Sequence, residues 1–384
     1  MVLRAERLFG DRAQAVVGDR NLPRIALLTP TLSTADAISN DISGMHEVLK
    51  KSGYDARLFA NENLTGHDVS PAGKIKDFLV SPNDILIYHY SMGWNIGLRL
   101  LHELKCRKVL KYHNITPPEF FVGFSTDYEH VCRSGRQQIK EIARANCDLY
   151  LSDSEYNSQE LIQEGADSSR CFVVAPFHHI DRLESIAPDT QVFDQFVTQD
   201  INILMVGRVA PNKGHASLIE ALATYRREYN RYARLFFVGK EAVQLSGYSL
   251  SLRQLAADLA IGNSVIFTGA VPDAQLKAYY LAADFFMLTS HHEGFCVPLV
   301  EAMALKVPII ACESSAIPAT VGKAGLVWKE RNPYLLAESI NYLDQNEHVA
   351  AELALLGRKR YEQFFSNERI AETFVGALRQ GGLI

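Results

Sequence analysis

Two tandem α/β domains, each a parallel sheet wrapped by helices and both facing one cleft, are what this chain predicts. Three observations lead there. Apolar, β-branched runs alternate with helical periodicity through both halves. A length of 384 residues suits about two domains. A polar stretch at 178–199, holding Pro188 and lacking a sustained apolar period, divides the halves.

In the first half the strand-like runs are 24–30, 55–60, 84–90, 108–114, 149–155 and 171–176. In the second they are 201–208, 233–239, 264–271, 284–290, 308–314 and 324–328. Helical patterns lie between most of them, among them 38–52, 135–146, 215–229 and 252–260. The segment 335–360 reads as one helix ending in Arg358-Lys359-Arg360, cations that suit a solvated last turn. Beyond it, Ile370, Phe374, Val375 and Leu378 form the apolar stripe of a final helix. The expected Rossmann-like domains are 1–185 and 186–365, with 366–384 as the final helix.

Composition narrows the function. A net charge of −5, of one sign in both halves, argues against a nucleic-acid binder driven by phosphate neutralisation. No run approaches ~18 apolar residues, so no membrane-spanning helix is expected. Residues 1–24 lack the apolar core of a secretion signal. Six cysteines stand singly, without a Cys-x-x-Cys pair, and read as free thiols in a reducing compartment. The basic residues Lys105, Arg107, Lys108 and Lys111 read as a solvated strand edge.

The densest chemistry is His291-His292-Glu293-Gly294-Phe295-Cys296-Val297-Pro298-Leu299-Val300-Glu301. An apolar strand leads in and a helix leads out, so Glu293 occupies a turn at a strand's carboxyl end, where open α/β sheets bind ligands. Glu301 lies one to two turns into the helix. The amides of Gly294, Phe295 and Cys296 would face out of the helix N-terminus, a ready anion site. Arg208 and Lys213 flank a loop at another strand end, where two cations can neutralise a diphosphate. His291 and His292, adjacent on one strand end, point opposite ways and are not expected to share an ion. Ser154 and Glu155 read as a helix start.

Glu293 to Met303 resembles the Glu-(seven residues)-Glu element of glycosyltransferase family four, retaining enzymes of the GT-B fold. Gly207-Arg208 with Lys213-Gly214, Phe267-Thr268-Gly269 and Ser315-Ala316-Ile317-Pro318 also resemble that family's elements, in order and spacing. The resemblance covers roughly the C-terminal half. It implies donor contacts from Gly207, Arg208, Lys213, Val271, Glu293, Gly294, Phe295, Cys296 and Glu301, the last to a ribose. It implies that Glu293, Arg208, Lys213 and His113 carry the chemistry, with His113 touching the donor sugar at a strand end of the first domain. His89, Tyr90, Trp94 and Asn114 are the acceptor-side candidates, aromatic and polar groups suited to sugar faces. The final helix would cross back to the first domain.

The reaction implied is transfer of a hexose, first mannose from GDP-mannose, to a saccharide or lipid-linked saccharide, without metal or cofactor. The setting implied is the cytoplasm, with peripheral contact at the inner face of a membrane. Two departures stand out: the loop from Thr31 to Asp36 has no Gly-Gly pair, and Lys306 replaces a usual glycine. A dinucleotide oxidoreductase would need a Gly-x-Gly-x-x-Gly turn that neither half has. A sugar-nucleotide epimerase of the same fold, or a two-domain ligand-binding protein without chemistry, are the alternatives.

Overall fold

Among the described residues every paired strand runs parallel to its neighbours, in two separate sheets. The computed structural model describes residues 22–34, 36–66, 68–196 and 200–384. The N-terminal segment read above up to residue 21, Ala35 in the first loop and residues 197–199 of the dividing stretch lie outside the described residues.

The first sheet holds β1 (Ile25–Ser33), β2 (Ala56–Leu64), β3 (Val69–Pro71), β4 (Ile85–Tyr90), β5 (Arg107–Tyr112), β6 (Leu149–Ser152) and β7 (Cys171–Val173), ordered β3-β2-β1-β4-β5-β6-β7. The second holds β8 (Ile201–Val206), β9 (Ala233–Val238), β10 (Val265–Gly269), β11 (Phe285–Leu288), β12 (Ile309–Cys312) and β13 (Gly325–Trp328), ordered β10-β9-β8-β11-β12-β13. Both are doubly wound. The order reverses between β1 and β4 and between β8 and β11, which opens a crevice at those strand ends.

Central strands are buried on both faces, so they read as unbroken apolar runs rather than as alternation. All six residues of β4 are buried. Lys111, in β5 between β4 and β6, is fully buried, which corrects the solvated edge expected for the basic stretch. Helix Ala37–Lys51 starts at Asp36, whose carboxylate accepts from the Ser39 amide, and buries Ile42, Met45 and Leu49. The long helix expected over 335–360 is two, Pro333–Gln345 and Glu347–Arg360, broken at Asn346. Its terminal cations are not simply solvated. Arg358 donates to the Ala304 carbonyl and Arg360 to that of Thr320, at 2.8 and 2.7 Å.

The chain crosses between domains twice. Phe177 packs in the first domain's core, whereas Ile180 and Leu183 pack in the second's. On the return, Phe365 belongs to the second core, while Ile370, Phe374 and Leu378 of helix Asn367–Gln380 join the first, with Phe374 edge-on to Phe177. The crossings are lashed together. His178 Nε2 meets the Phe365 carbonyl at 2.7 Å, and the Asn367 amide nitrogen donates to the His178 carbonyl at 2.9 Å.

Candidate active site

At the second sheet's switch point, β8 and β11 deliver the chemistry. After β8, a short turn Pro211–Lys213 ends at Gly214, whose φ is +71°. A Cβ there would sit 2.1 Å from the Thr289 carbonyl oxygen, so only glycine lets this turn close on the end of β11. That approach puts the Lys213 ammonium 2.8 Å from each Glu293 oxygen. The Ser290 hydroxyl donates to Glu293 Oε1 at 2.7 Å. Arg331 pins the strand end, donating to the carbonyls of Thr289 at 2.9 Å and Ser290 at 2.6 Å. Asn212 ties the loop from the other side, through the His291 amide and the His292 carbonyl. Glu293 is thus a buried carboxylate with a cation, a hydroxyl and a rigid backbone.

Beyond it, Cys296 takes a left-handed conformation, φ +79°, at the N-terminus of helix Val297–Ala304. Among the described residues, no acceptor pairs with the amides of Gly294, Phe295 or Cys296. Burial pushes the Cys296 thiol far up, so it stays protonated and is no nucleophile. Glu301 is half-buried and accepts from the Tyr280 hydroxyl at 2.7 Å; burial raises its carboxyl to about 7. Arg208 is exposed, pairs with no carboxylate among the described residues, and lies 6.0 Å from the ring of Tyr128 in the first domain. Gly207 takes φ +150° at the end of β8, and Val271 is partly buried against the second core.

The first domain's pole is built differently. His113, just past β5, has both ring nitrogens engaged: Nδ1 lies 3.1 Å from Asp153 and Nε2 lies 2.9 Å from His89 Nδ1. Both ring nitrogens are therefore held by partners within the first domain. Lys111 sits 2.6 Å from Asp153 and donates to the Val174 carbonyl at 2.5 Å. Asp41 accepts from the Phe177 amide at 2.8 Å. Burial raises the Asp41 carboxyl, with Lys111 and His113 opposing. Burial also opposes ionisation of Asp153, but Lys111 and His113 outweigh it and its pKa falls. Burial, then the charges of His113 and Lys111, hold His89 well below the usual imidazole range.

Asp41, His89 and His113 present three ligand atoms within reach of one ion. Yet the ring centroids of the two histidines stand 5.2 Å apart, almost the most that a 2.9 Å nitrogen contact permits. The nitrogens therefore face each other head-on, as in a hydrogen bond, and the Lys111 ammonium stands 3.7 Å from the Asp41 carboxylate. The set fits a proton-bearing chain and not a cation.

Of the acceptor-side candidates, His89 and Tyr90 are fully buried, and the Tyr90 hydroxyl donates to the Gly135 carbonyl at 2.6 Å. Both belong to the core and have no surface to offer. Trp94 is half-buried against Tyr88, 6.1 Å between ring centroids. Asn114 reaches across the cleft, its Oδ1 2.7 Å from His292 Nε2.

Sequence reading missed Ser290, Arg331, Asp153 and the second duty of Ser154. Ser154 does cap helix Glu155–Glu164, and its hydroxyl also donates to the Gly294 carbonyl at 2.7 Å. The signal for Ser290 was present, three residues before Glu293 on the same turn. None marked Arg331, which lies 42 positions from Thr289.

Residues 189–360 match the family described as Glycosyl transferases group 1. The chain is 31% identical over 305 residues to a D-inositol 3-phosphate glycosyltransferase of Corynebacterium efficiens, covering 75% of this chain and 70% of that protein. It is 31% identical over 166 residues to a GDP-mannose-dependent α-(1-6)-phosphatidylinositol monomannoside mannosyltransferase of Mycobacterium tuberculosis, spanning 41% of this chain and 42% of that one. The chain thus spans less than half the length of that mannosyltransferase. In fold it is similar to sucrose-phosphate synthase from Thermosynechococcus elongatus, with a TM-score of 0.75 at 19% identity, covering 93% and 98% of the two chains. It is also similar to the Anabaena protein HepE solved with UDP and glucose, TM-score 0.72 at 18% identity, covering 93% and 99%. With two doubly wound parallel sheets and identity of this extent across three quarters of its length, the chain belongs to the group 1 glycosyl transferases and has the GT-B fold.

Proposed function

We propose that the protein transfers a hexosyl group, with retention, from a nucleoside-diphosphate sugar to a saccharide or lipid-linked saccharide. Mannose from GDP-mannose is the first candidate donor, on the strength of the mannosyltransferase relative. One observation carries the reading: a Glu293–Lys213 pair stands beside three amides and an Arg208 that have no partner among the described residues.

An ammonium has three N–H donors. Two of Lys213's are directed at Glu293, which leaves the third for a phosphate oxygen. Arg208 and the amides of Gly294 to Cys296 supply further positive potential where charge gathers as the diphosphate leaves. Glu293 can hold sugar hydroxyls while Lys213 holds the leaving group, so one ion pair spans the bond that breaks. The acceptor hydroxyl attacks the anomeric carbon from the face the diphosphate vacates, and its proton passes to the departing phosphate. Inversion would need a base on the opposite face. The engagement of both His113 nitrogens removes the residue best placed for that, which supports retention. The same cations and amides do a metal's work on the diphosphate, so transfer should survive chelation.

We place the reaction in the cytoplasm, consistent with six free cysteines. Among the described residues no helix is long and apolar enough to cross a membrane, so a lipid-linked acceptor would be met at the surface.

The test is thermal stabilisation across a panel of nucleotide sugars, followed by proton NMR of the product's anomeric signal. Stabilisation by one nucleotide sugar, then a retained product formed only with acceptor present, is expected. An inverted product overturns the mechanism. A nucleotide sugar of altered configuration formed without acceptor would mean epimerisation.

A further inference from the structure

Between the two poles runs a continuous polar chain that the transfer chemistry does not use. The Asn114 amide nitrogen donates to Asn157 Oδ1 at 2.9 Å and to Glu160 at 3.2 Å. Its carbonyl oxygen must therefore face His292, whose Nε2 lies 2.7 Å away. That requires the hydrogen on Nε2 and leaves Nδ1 to accept from the Ser315 hydroxyl at 3.2 Å. Glu160 in turn accepts from Tyr112 at 2.5 Å and Arg136 at 2.7 Å. The bonds from Ser315 through His292 and Asn114 to Asn157 and Glu160 have one consistent set of donor and acceptor roles, and they span both domains.

The contact is buried and tight. Asn114 is 8% exposed and His292 5%. A Cβ on Gly294 would stand 2.9 Å from both Asn114 Cβ and the His113 carbonyl oxygen, so no other residue lets the domains approach this closely. Asn114 and Ser315 hold left-handed backbones, φ +69° and +45°, which non-glycine residues adopt only when their surroundings impose it. Burial keeps the His292 ring near 4 and hence neutral in ordinary buffers, so one ring nitrogen stays free to accept from Ser315.

We propose that Asn114 and His292 are positioning residues for the transfer step, whose hydrogen bond fixes the first domain against the turn that carries Glu293. This rests on the glycosyltransferase reading above. His292 and Glu293 are consecutive, and their side chains diverge: one to the first domain, the other to Lys213. Breaking the bond leaves the diphosphate site, all on the second domain, intact. What changes is how the acceptor domain meets the sugar.

The experiment uses Asn114→Ala, His292→Ala, their double variant, His292→Gln and His292→Asn. Transfer kcat is measured alongside GDP and UDP affinity by calorimetry. We expect each alanine to lower kcat by about tenfold or more, the order of a misplaced reacting group, with nucleotide Kd changed by less than about twofold. The double variant should be no worse than the worse single one, because one bond is lost in all three. A glutamine amide can place an N–H where Nε2 was, and asparagine is too short to do so. His292→Gln should therefore recover most activity and His292→Asn should not. Equal activity of those two, losses that multiply, or nucleotide affinity falling with kcat would each overturn the proposal. Glutamine and asparagine keep the comparison alive if the alanine variants fail to fold. Should the wild-type protein transfer nothing, the function reading fails by itself. Spin labels on the two domains then still decide the latch: a broadened distance distribution in His292→Asn but not His292→Gln supports it, and unchanged distributions sink it.

Discussion

Both sheets gather charged side chains at the carboxyl ends of their central strands, yet the two groups are wired oppositely. In the first domain Lys111, Asp153, His113, His89 and Asp41 pair with one another, sealed from solvent. In the second, Lys213 and Glu293 pair at the edge of the cleft, while Arg208 and the amides of Gly294 to Cys296 are left over. The same topology thus yields a sealed charge cluster in one copy and the proposed ligand site in the other. What separates them is whether the positive groups are used up internally. A position at a strand's carboxyl end is not enough to make a residue functional.

The largest effect should come from cutting the sealed group. Asp153→Ala strands the buried Lys111 charge and should cost about 3–5 kcal/mol of stability, read by chemical denaturation. Pairing it with Lys111→Met should restore part of that loss. If Asp153→Ala is nearly neutral, the sealed-cluster description fails. Arg208→Ala probes the opposite wiring. With no partner to strand, it should shift stability by no more than about 0.5 kcal/mol. It should weaken nucleoside-diphosphate binding by about tenfold or more and leave the bare nucleoside almost unaffected. Equal losses for both ligands would merge the two groups into one structural class.

A third test turns on pH and contrasts two acids, one buried and one half-buried. Asp153 has a cation and titrates low, whereas Glu301 has only the Tyr280 hydroxyl and is raised to about 7. The folded state therefore prefers Glu301 protonated. That contribution is complete below the unfolded value near 4.5 and is lost as pH rises through 7. Melting curves of Glu301→Gln should gain on wild type across that window. A constant difference would mean the carboxyl is not held protonated by burial.

The smallest effect concerns backbone strain away from the site. Lys306 holds φ +59° where glycine is usual, just past helix Val297–Ala304. Lys306→Gly should stabilise by about 1 kcal/mol, because a left-handed turn penalises any Cβ. The same exchange at Asn114, φ +69°, should destabilise instead, since its side chain carries the bridge to His292. Matching signs would remove the distinction between incidental and functional strain.

How far the sequence was legible follows from which signals are local. All twelve apolar runs became strands. The one missed, β3, is three residues ending in proline and offers no run to read. Helix Thr126–Ala143 begins nine residues before the periodic stretch because its first half is polar and only partly covered. The second domain's site was readable because its residues sit in short linear elements, even though Lys213 and Glu293 are 80 positions apart. The first domain's charges were misjudged because a central strand, covered on both faces, shows no alternation to say that Lys111 points inward. Burial of His89 and Tyr90 went unseen for the same reason.

The lashed double crossing also bears on how the protein is made. Domains usually fold in the order in which they leave the ribosome. Here the first domain's core lacks Ile370, Phe374 and Leu378 until the whole second domain has been translated. The first domain to be synthesised is therefore the last to be finished. Until then the apolar surface those three residues cover is open to chaperones or to a neighbouring nascent chain, and the second domain can acquire its core before the first has closed.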